Sequence, residues 1–165
     1  MIFVTLGTHE QGFDRLVIEL DNLKQSKAIG EEVFIQGTTG KYTPKFCTHK
    51  EILAYDELCG IIQKSRIVIT HGGPGSIILS LRYGKIPIVV PRMHKFGEHV
   101  DDHQVRFAKK LESQRKILAV YEIGELKDKI KNYDILIKEY NLPKFDANSR
   151  SSLIQNLEQY MRNIQ

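Results

Sequence analysis

Cysteine is scarce in this chain. Cys47 and Cys59 are the only two among 165 residues, twelve positions apart and without a C-x-x-C or histidine pairing. That excludes a disulfide framework and a thiolate zinc site as organising features, and predicts free thiols in a reducing cytoplasm. Long apolar runs are missing as well. None approaches the roughly 20 residues of a membrane span, and residues 1–6 lack the basic start and the length of a secretory leader. Charge of one sign is in short supply: 24 Lys and Arg stand against 20 Asp and Glu, a net +4. So mild an excess suits an anionic ligand or an anionic membrane surface. The basic residues are scattered and show no aromatic interleaving, so nucleic acid is not an expected partner. Four catalytic signatures are also absent. A G-x-G-x-x-G fingerprint would need glycine where Ile78 stands, and a Walker A motif fails at Gly84-Lys85-Ile86. There is no G-x-S-x-G and no H-E-x-x-H.

What is present reads as one globular domain over residues 1–165. The composition, 41% hydrophobic and 27% charged, is ordinary for such a domain. Short apolar runs at Ile2–Leu6, Val33–Gln36, Ile67–Thr70, Ile86–Val90 and Ile117–Val120 alternate with helical patterns over 11–26, 56–64, 77–83, 101–112 and 122–139. Residues 37–50 read as a loop or a short irregular strand. Continuous apolar strands alternating with helices predict an α/β fold: a Rossmann-like parallel sheet with helices on both faces. An apolar stripe through Leu153, Ile154, Leu157, Tyr160, Met161 and Ile164 predicts an amphipathic C-terminal helix over 149–165. It would fold back on its own sheet or dock on a partner.

Three segments could carry chemistry, each following a predicted strand. The first is Thr70-His71-Gly72-Gly73-Pro74-Gly75-Ser76, between a buried strand and a helix. Glycines admit a ligand close to the backbone, and the N–H groups of Gly73, Gly75, Ser76 and Ile77 at a helix start favour a phosphate. The rival reading is a plain connecting turn. The second is Pro91 to Gln104, which gathers Glu98, Asp101, Asp102, His103 and Gln104, a set able to read sugar hydroxyls. His94, His99 and His103 are spaced five and four apart, which matches no standard zinc pattern, so no metal site is expected. Asp101 or Asp102 also serves as a helix cap. The third is Gly7-Thr8-His9, where Thr8 and His9 could reach a phosphate.

Together, in this order, these segments resemble the donor-binding half of a split GT-B glycosyltransferase of the family-28 C-terminal type. Val4-Thr5-Leu6-Gly7-Thr8-His9-Glu10-Gln11-Gly12-Phe13-Asp14-Arg15-Leu16 is similar to the V-T-x-G-T-H-x-x-x-F-D-x-L start of small bacterial capsular and exopolysaccharide subunits. The soluble subunit of the eukaryotic two-subunit UDP-GlcNAc transferase is also similar. The specific part is His71-Gly72-Gly73-Pro74-Gly75-Ser76, Gly84-Lys85-Ile86-Pro87 and Asp102-His103-Gln104. The resemblance implies a UDP-hexose donor, its diphosphate on Gly73, Gly75 and Ser76, its sugar hydroxyls on Gln104 beside Asp102 and His103, with His71, Gly72, Gly7 and Thr8 facing the same cleft.

It further implies inverting transfer with no cofactor and no metal. The missing GT-B half would come from a membrane-associated acceptor-binding partner, the acceptor being a polyprenyl-diphosphate-linked sugar. The chain would then sit at the inner face of the cell membrane, working in polysaccharide assembly. The general base is expected on the partner, with His9 as the candidate on this chain. One position departs: where related transferases carry an acidic ribose-binding residue, this chain has Leu79. That departure supports the alternative, a non-catalytic regulatory or interaction module of doubly wound fold.

Overall fold

The computed structural model describes residues 1–7 and 10–140. Six strands, β1 (Ile2–Thr5), β2 (Val33–Gln36), β3 (Thr48–Lys50), β4 (Ile67–His71), β5 (Ile88–Val90) and β6 (Leu118–Ala119), form one sheet. Their spatial order is β3-β2-β1-β4-β5-β6, and every neighbouring pair is parallel. The fold is Rossmann-like, as the alternation of apolar runs and helices predicts. β1, β4 and β5 are buried along nearly their whole length, which is why they read as unbroken apolar runs. β2 alternates buried and half-buried residues, and β3 is a polar edge strand. A short, polar edge resists pairing with other chains. It also leaves little apolar signal, so residues 37–50 do not announce a strand in the sequence.

Helices α1 (Asp14–Gln25), α2 (Tyr55–Lys64), α3 (Pro74–Arg82) and α4 (His103–Ser113) connect the strands. Leu16, Val17, Leu20 and Leu23 of α1 are buried at helical spacing. Ile2 and Val4 join them in the main core, while Phe3 and Val68, on the opposite pleat, pack with Ile62, Leu58, Leu79 and Tyr83. Alternate side chains of one strand thus feed two cores.

Several boundaries shift for physical reasons. α1 begins at Asp14 rather than at 11, because Phe13 donates its N–H to Thr39 and leaves the helix. α3 begins at Pro74, three residues earlier than its apolar pattern, because proline at the first helical position needs no N–H partner. α4 begins at His103, since the carboxylates of Asp101 and Asp102 are bonded to the backbone N–H groups of His103 and His94. The stretch 122–139 is not one helix but 3-10 turns at Ile123–Glu125 and Ile137–Glu139 around α5 (Leu126–Lys131) and α6 (Tyr133–Leu136). The predicted helix over 149–165 lies outside the described residues. Among those residues, no helix is long and apolar enough to cross a membrane.

The strand order positions the site. From β1 the chain runs outward through β2 and β3, then returns to β4 on the other side of β1 and runs through β5 and β6. The crevice beyond the carboxyl ends of β1 and β4 is therefore the topological switch point, where ligands bind in such sheets. The register aligns Lys50, Gln36, Thr5 and Thr70 across four strands, so the loops that follow them open along one edge.

Candidate active-site cleft

A cleft of about 620 Å³ lies at this edge. Gly7, His71, Gly73, Gly75 and Ser76 line it. The turn into α3 is built from short polar bonds. The Thr70 and Ser76 hydroxyls meet, and between them reach the carbonyls of His71 and Gly73. No side chain caps α3, whose N-cap is Gly73. The sequence reading of four phosphate donors needs correction. Gly73 donates its N–H to the His71 carbonyl, and Ile77 donates to the Gly73 carbonyl. Among the described residues Gly75 and Ser76 remain as the open donors, because the tight turn closes on the other two. Open N–H groups at a helix start, backed by the helix dipole, suit an anion.

The glycines here are required by a ring. A Cβ on Gly7 would come within 2.5 Å of the His71 imidazole, and one on Gly73 within 2.2 Å. Gly7 also adopts φ +77°. The imidazole thus fills the space that side chains at both positions would need, with Nδ1 3.4 Å from the Thr5 carbonyl oxygen. Thr8 and His9 lie outside the described residues.

Gly72 lies behind the cleft and donates its N–H to Oε1 of Gln104 at 3.1 Å. The same oxygen accepts the Arg92 N–H at 3.0 Å. Two backbone donors on one atom fix the amide orientation, and the Gln104 NH2 group makes no hydrogen bond among the described residues. Gln104 is thus a brace between two loops with its donor end left over. Asp102 accepts the His94 N–H at 2.9 Å, and Asp102, His103 and Gln104 are not among the described residues that line the cleft.

Glu98 is not a group that reads hydroxyls. It is 4% exposed and forms a two-pronged pair with Arg15, at 2.9 and 3.0 Å, while also accepting the Met93 N–H. Arg92 is fully buried. Its guanidinium donates to the carbonyls of Leu6, Gln11, Gly12 and Glu98 and stacks over Phe13, 4.7 Å from the ring centre. Burial depresses its pKa and the Glu98 charge opposes that. Arg92 thus ties Leu6, Gln11 and Gly12 to the 91–98 segment.

The sequence reading misses the far wall. Gln36, Gly37, Thr38, Glu51, Ile52, Leu53, Leu58 and Ile62 line the cleft with Leu79. The available signal was Gly37, a glycine at a strand's carboxyl end, the position that singled out Gly7 and Gly72. Asp21 holds this wall from behind. Burial pushes its carboxyl up, but bonds from the Tyr42 hydroxyl and the N–H groups of Lys45, Phe46 and Cys47 outweigh burial and keep it below the ordinary value. Burial drives the Cys47 thiol up to about 12, which leaves it unreactive. Among the described residues, no three His, Cys, Asp or Glu side chains are grouped to hold a metal ion.

With this geometry in view, the family match is specific: the glycosyltransferase family 28 C-terminal domain covers residues 1–160. The chain belongs to that family. It is 36% identical over 63 residues to the UDP-N-acetylglucosamine transferase subunit ALG13 of Yarrowia lipolytica, covering 38% of this chain and 30% of that protein. It is 33% identical over 122 residues to the human subunit of the same name, covering 68% of this chain and 10% of that protein. The matched segments thus span under a third of either relative. The solution structure of ALG13 shares the fold at a TM-score of 0.60 and 16% identity, over 93% of each chain. The crystal structure of the glycotransferase of kitacinnamycin shares it at 0.58 and 15%, covering 98% of this chain and 39% of that one. These likenesses establish a sheet and helices of the GT-B half type.

Proposed function

We propose that this chain binds a UDP-sugar and forms the donor half of a two-component inverting glycosyltransferase. The observation that carries the reading is the open N–H pair of Gly75 and Ser76 at the α3 start, facing a cleft at the switch point of a family-28 domain. An inverting transfer needs its leaving diphosphate stabilised as charge develops. Fixed N–H donors and a helix dipole supply that without reorganisation or a metal. Gln104, with its amide NH2 left over, is the donor we place on the sugar hydroxyls.

The acceptor side we place on a partner subunit, for two reasons. The relatives' own names describe a transferase subunit, and the resemblance implies a second GT-B half. That partner would be membrane-associated, hold a polyprenyl-diphosphate-linked sugar, and bring this chain to the inner membrane face. His9 is the candidate base on this chain, and the partner the stronger source. The V-T-x-G-T-H start favours surface-polysaccharide assembly over glycoprotein assembly. A second reading, a regulatory module, draws on the apolar Leu79 in the cleft wall.

Ligand-observed NMR on the full chain against UDP, several UDP-hexoses, GDP-mannose and NADH tests the donor reading. Selective binding of UDP and one UDP-hexose is the expected result. Preferential NADH binding overturns it, and the absence of any nucleotide binding favours the regulatory module.

A further inference from the structure

Arg15, Lys50, Arg66, Lys95 and Arg115 each pair with a carboxylate. Helices α3 and α4 are built differently. No Asp or Glu stands between Glu57 and Glu98, and none between Asp102 and Glu112. Glu112 itself turns to the β6 edge, where it accepts the Tyr121 hydroxyl at 3.1 Å and the Ala119 N–H at 3.4 Å. Arg82, Arg106, Lys109 and Lys110 are exposed, and Lys85 is half-buried. Arg82, Lys85 and Arg106 have no ion pair among the described residues.

These cations share one surface. β4, β5 and β6 are successive neighbours in the sheet, and right-handed connections place α3 and α4 on the same face. On α4, Phe107, Ala108 and Leu111 are buried. Arg106, Lys109 and Lys110, spaced i, i+3 and i+4, therefore take the outward side. On α3, Ile77 and Leu81 are buried and Arg82 faces out. The Lys109 ammonium stands 6.0 Å over the Tyr121 ring. None of the five lines the cleft. Among the described residues, no exposed large apolar side chain lies on either helix; Ile52, Val100 and Ile135 are elsewhere.

We propose that the outer face of α3 and α4 binds an anionic lipid bilayer directly, through Arg82, Lys85, Arg106, Lys109 and Lys110. The inference is independent of the donor reading and gives this chain a lipid contact of its own. A protein interface is built around an apolar, aromatic centre depleted in lysine, and this face has the reverse composition. Anionic headgroups ask only for positive charge spread over a surface, without a pocket. A nucleic acid shares the phosphates, but neither helix presents an exposed aromatic ring for a base to stack on. Contact at this face lays the two helices on the bilayer and leaves the cleft, beyond the strand ends, opening to the side.

The test is flotation of the full chain with vesicles of phosphatidylcholine alone and of phosphatidylcholine mixed equally with phosphatidylglycerol. Wild type is expected to float with the mixed vesicles only, and high salt releases it. Arg82→Gln, Arg106→Gln and Lys109→Gln combined should weaken that binding about 100-fold, at roughly fivefold per cation. Lys127→Gln, Lys129→Gln and Lys131→Gln combined remove the same charge from α5 and should leave binding within about threefold. None of the six side chains is buried, so both variants should keep the wild-type Tm. Wild type that ignores the mixed vesicles overturns the inference. So do equal losses in the two variants, which would make net charge the cause, and equal binding to the neutral vesicles. Tighter binding to a single-stranded oligonucleotide than to the mixed vesicles, at the same salt and phosphate concentration, overturns it in favour of nucleic acid. UDP titration of the same samples reports the donor reading separately.

Discussion

The turn from β4 into α3 and the segment from Pro91 to His103 leave the same sheet edge, and they treat their polar groups in opposite ways. The first leaves the Gly75 and Ser76 N–H groups open toward the cleft. The second closes its strongest groups on the protein itself: Arg92 on four carbonyls, Glu98 on Arg15 and the Met93 N–H, Asp102 on the His94 N–H. The difference teaches that a loop rich in charged residues at a ligand-binding edge need not be the loop that binds. Here the charged loop gives rigidity, and the turn into α3 is where we propose recognition. Gln104 joins them through a single oxygen.

The comparison breaks hardest at Arg92. Arg92→Leu leaves buried carbonyls without donors and should cost on the order of 3–5 kcal/mol. For a chain this size that lowers Tm by about 10 °C, measured by thermal unfolding. Next comes Gly73→Ala. The backbone there is ordinary at φ −74°, but the new Cβ meets His71. UDP affinity should fall about 100-fold, roughly 2.7 kcal/mol, with Tm shifting by only a few degrees. Gly75→Ala is its control, since a Cβ there meets nothing within 4 Å. The fold should be unaffected, so any loss of affinity reports the ligand itself. Gln104→Leu strands two backbone N–H groups at about 1–3 kcal/mol and should weaken stability and binding together, unlike either neighbour.

A smaller effect is expected at Asp21. Its folded pKa lies below the ordinary value, so its contribution is complete above about pH 4 and is lost as pH falls through the folded value. Asp21→Asn should cost about 1–2 kcal/mol at pH 7 and flatten the acid limb of a Tm-against-pH curve. The exposed Lys50–Glu57 pair sets the floor, with Lys50→Met changing stability by less than about 1 kcal/mol.

The sheet and the turn into α3 were legible because they depend on local patterns. Ile67 to Thr70 is an unbroken apolar run, the glycines follow it at once, and the switch-point rule places them at the crevice. At Glu98 the sequence misleads because the partner is remote. Glu98 resembles a ligand-reading carboxylate until Arg15, 83 positions away, is seen against it. The β3 side of the far wall is hidden for another reason. Thr48-His49-Lys50 lacks the apolar signal of a strand, so nothing in the linear sequence brings Glu51 to the cleft edge. Register with Gln36 does that.

The central claim is that recognition belongs to the open turn and rigidity to the charged loop. Amide chemical-shift mapping of the isotope-labelled chain with UDP tests it most directly. The account predicts that the largest shifts fall on Gly72, Gly75, Ser76 and Ile77, extending to Glu51, while Met93 and Glu98 scarcely move. Largest shifts on Met93 through Val100 with a silent α3 start would contradict it.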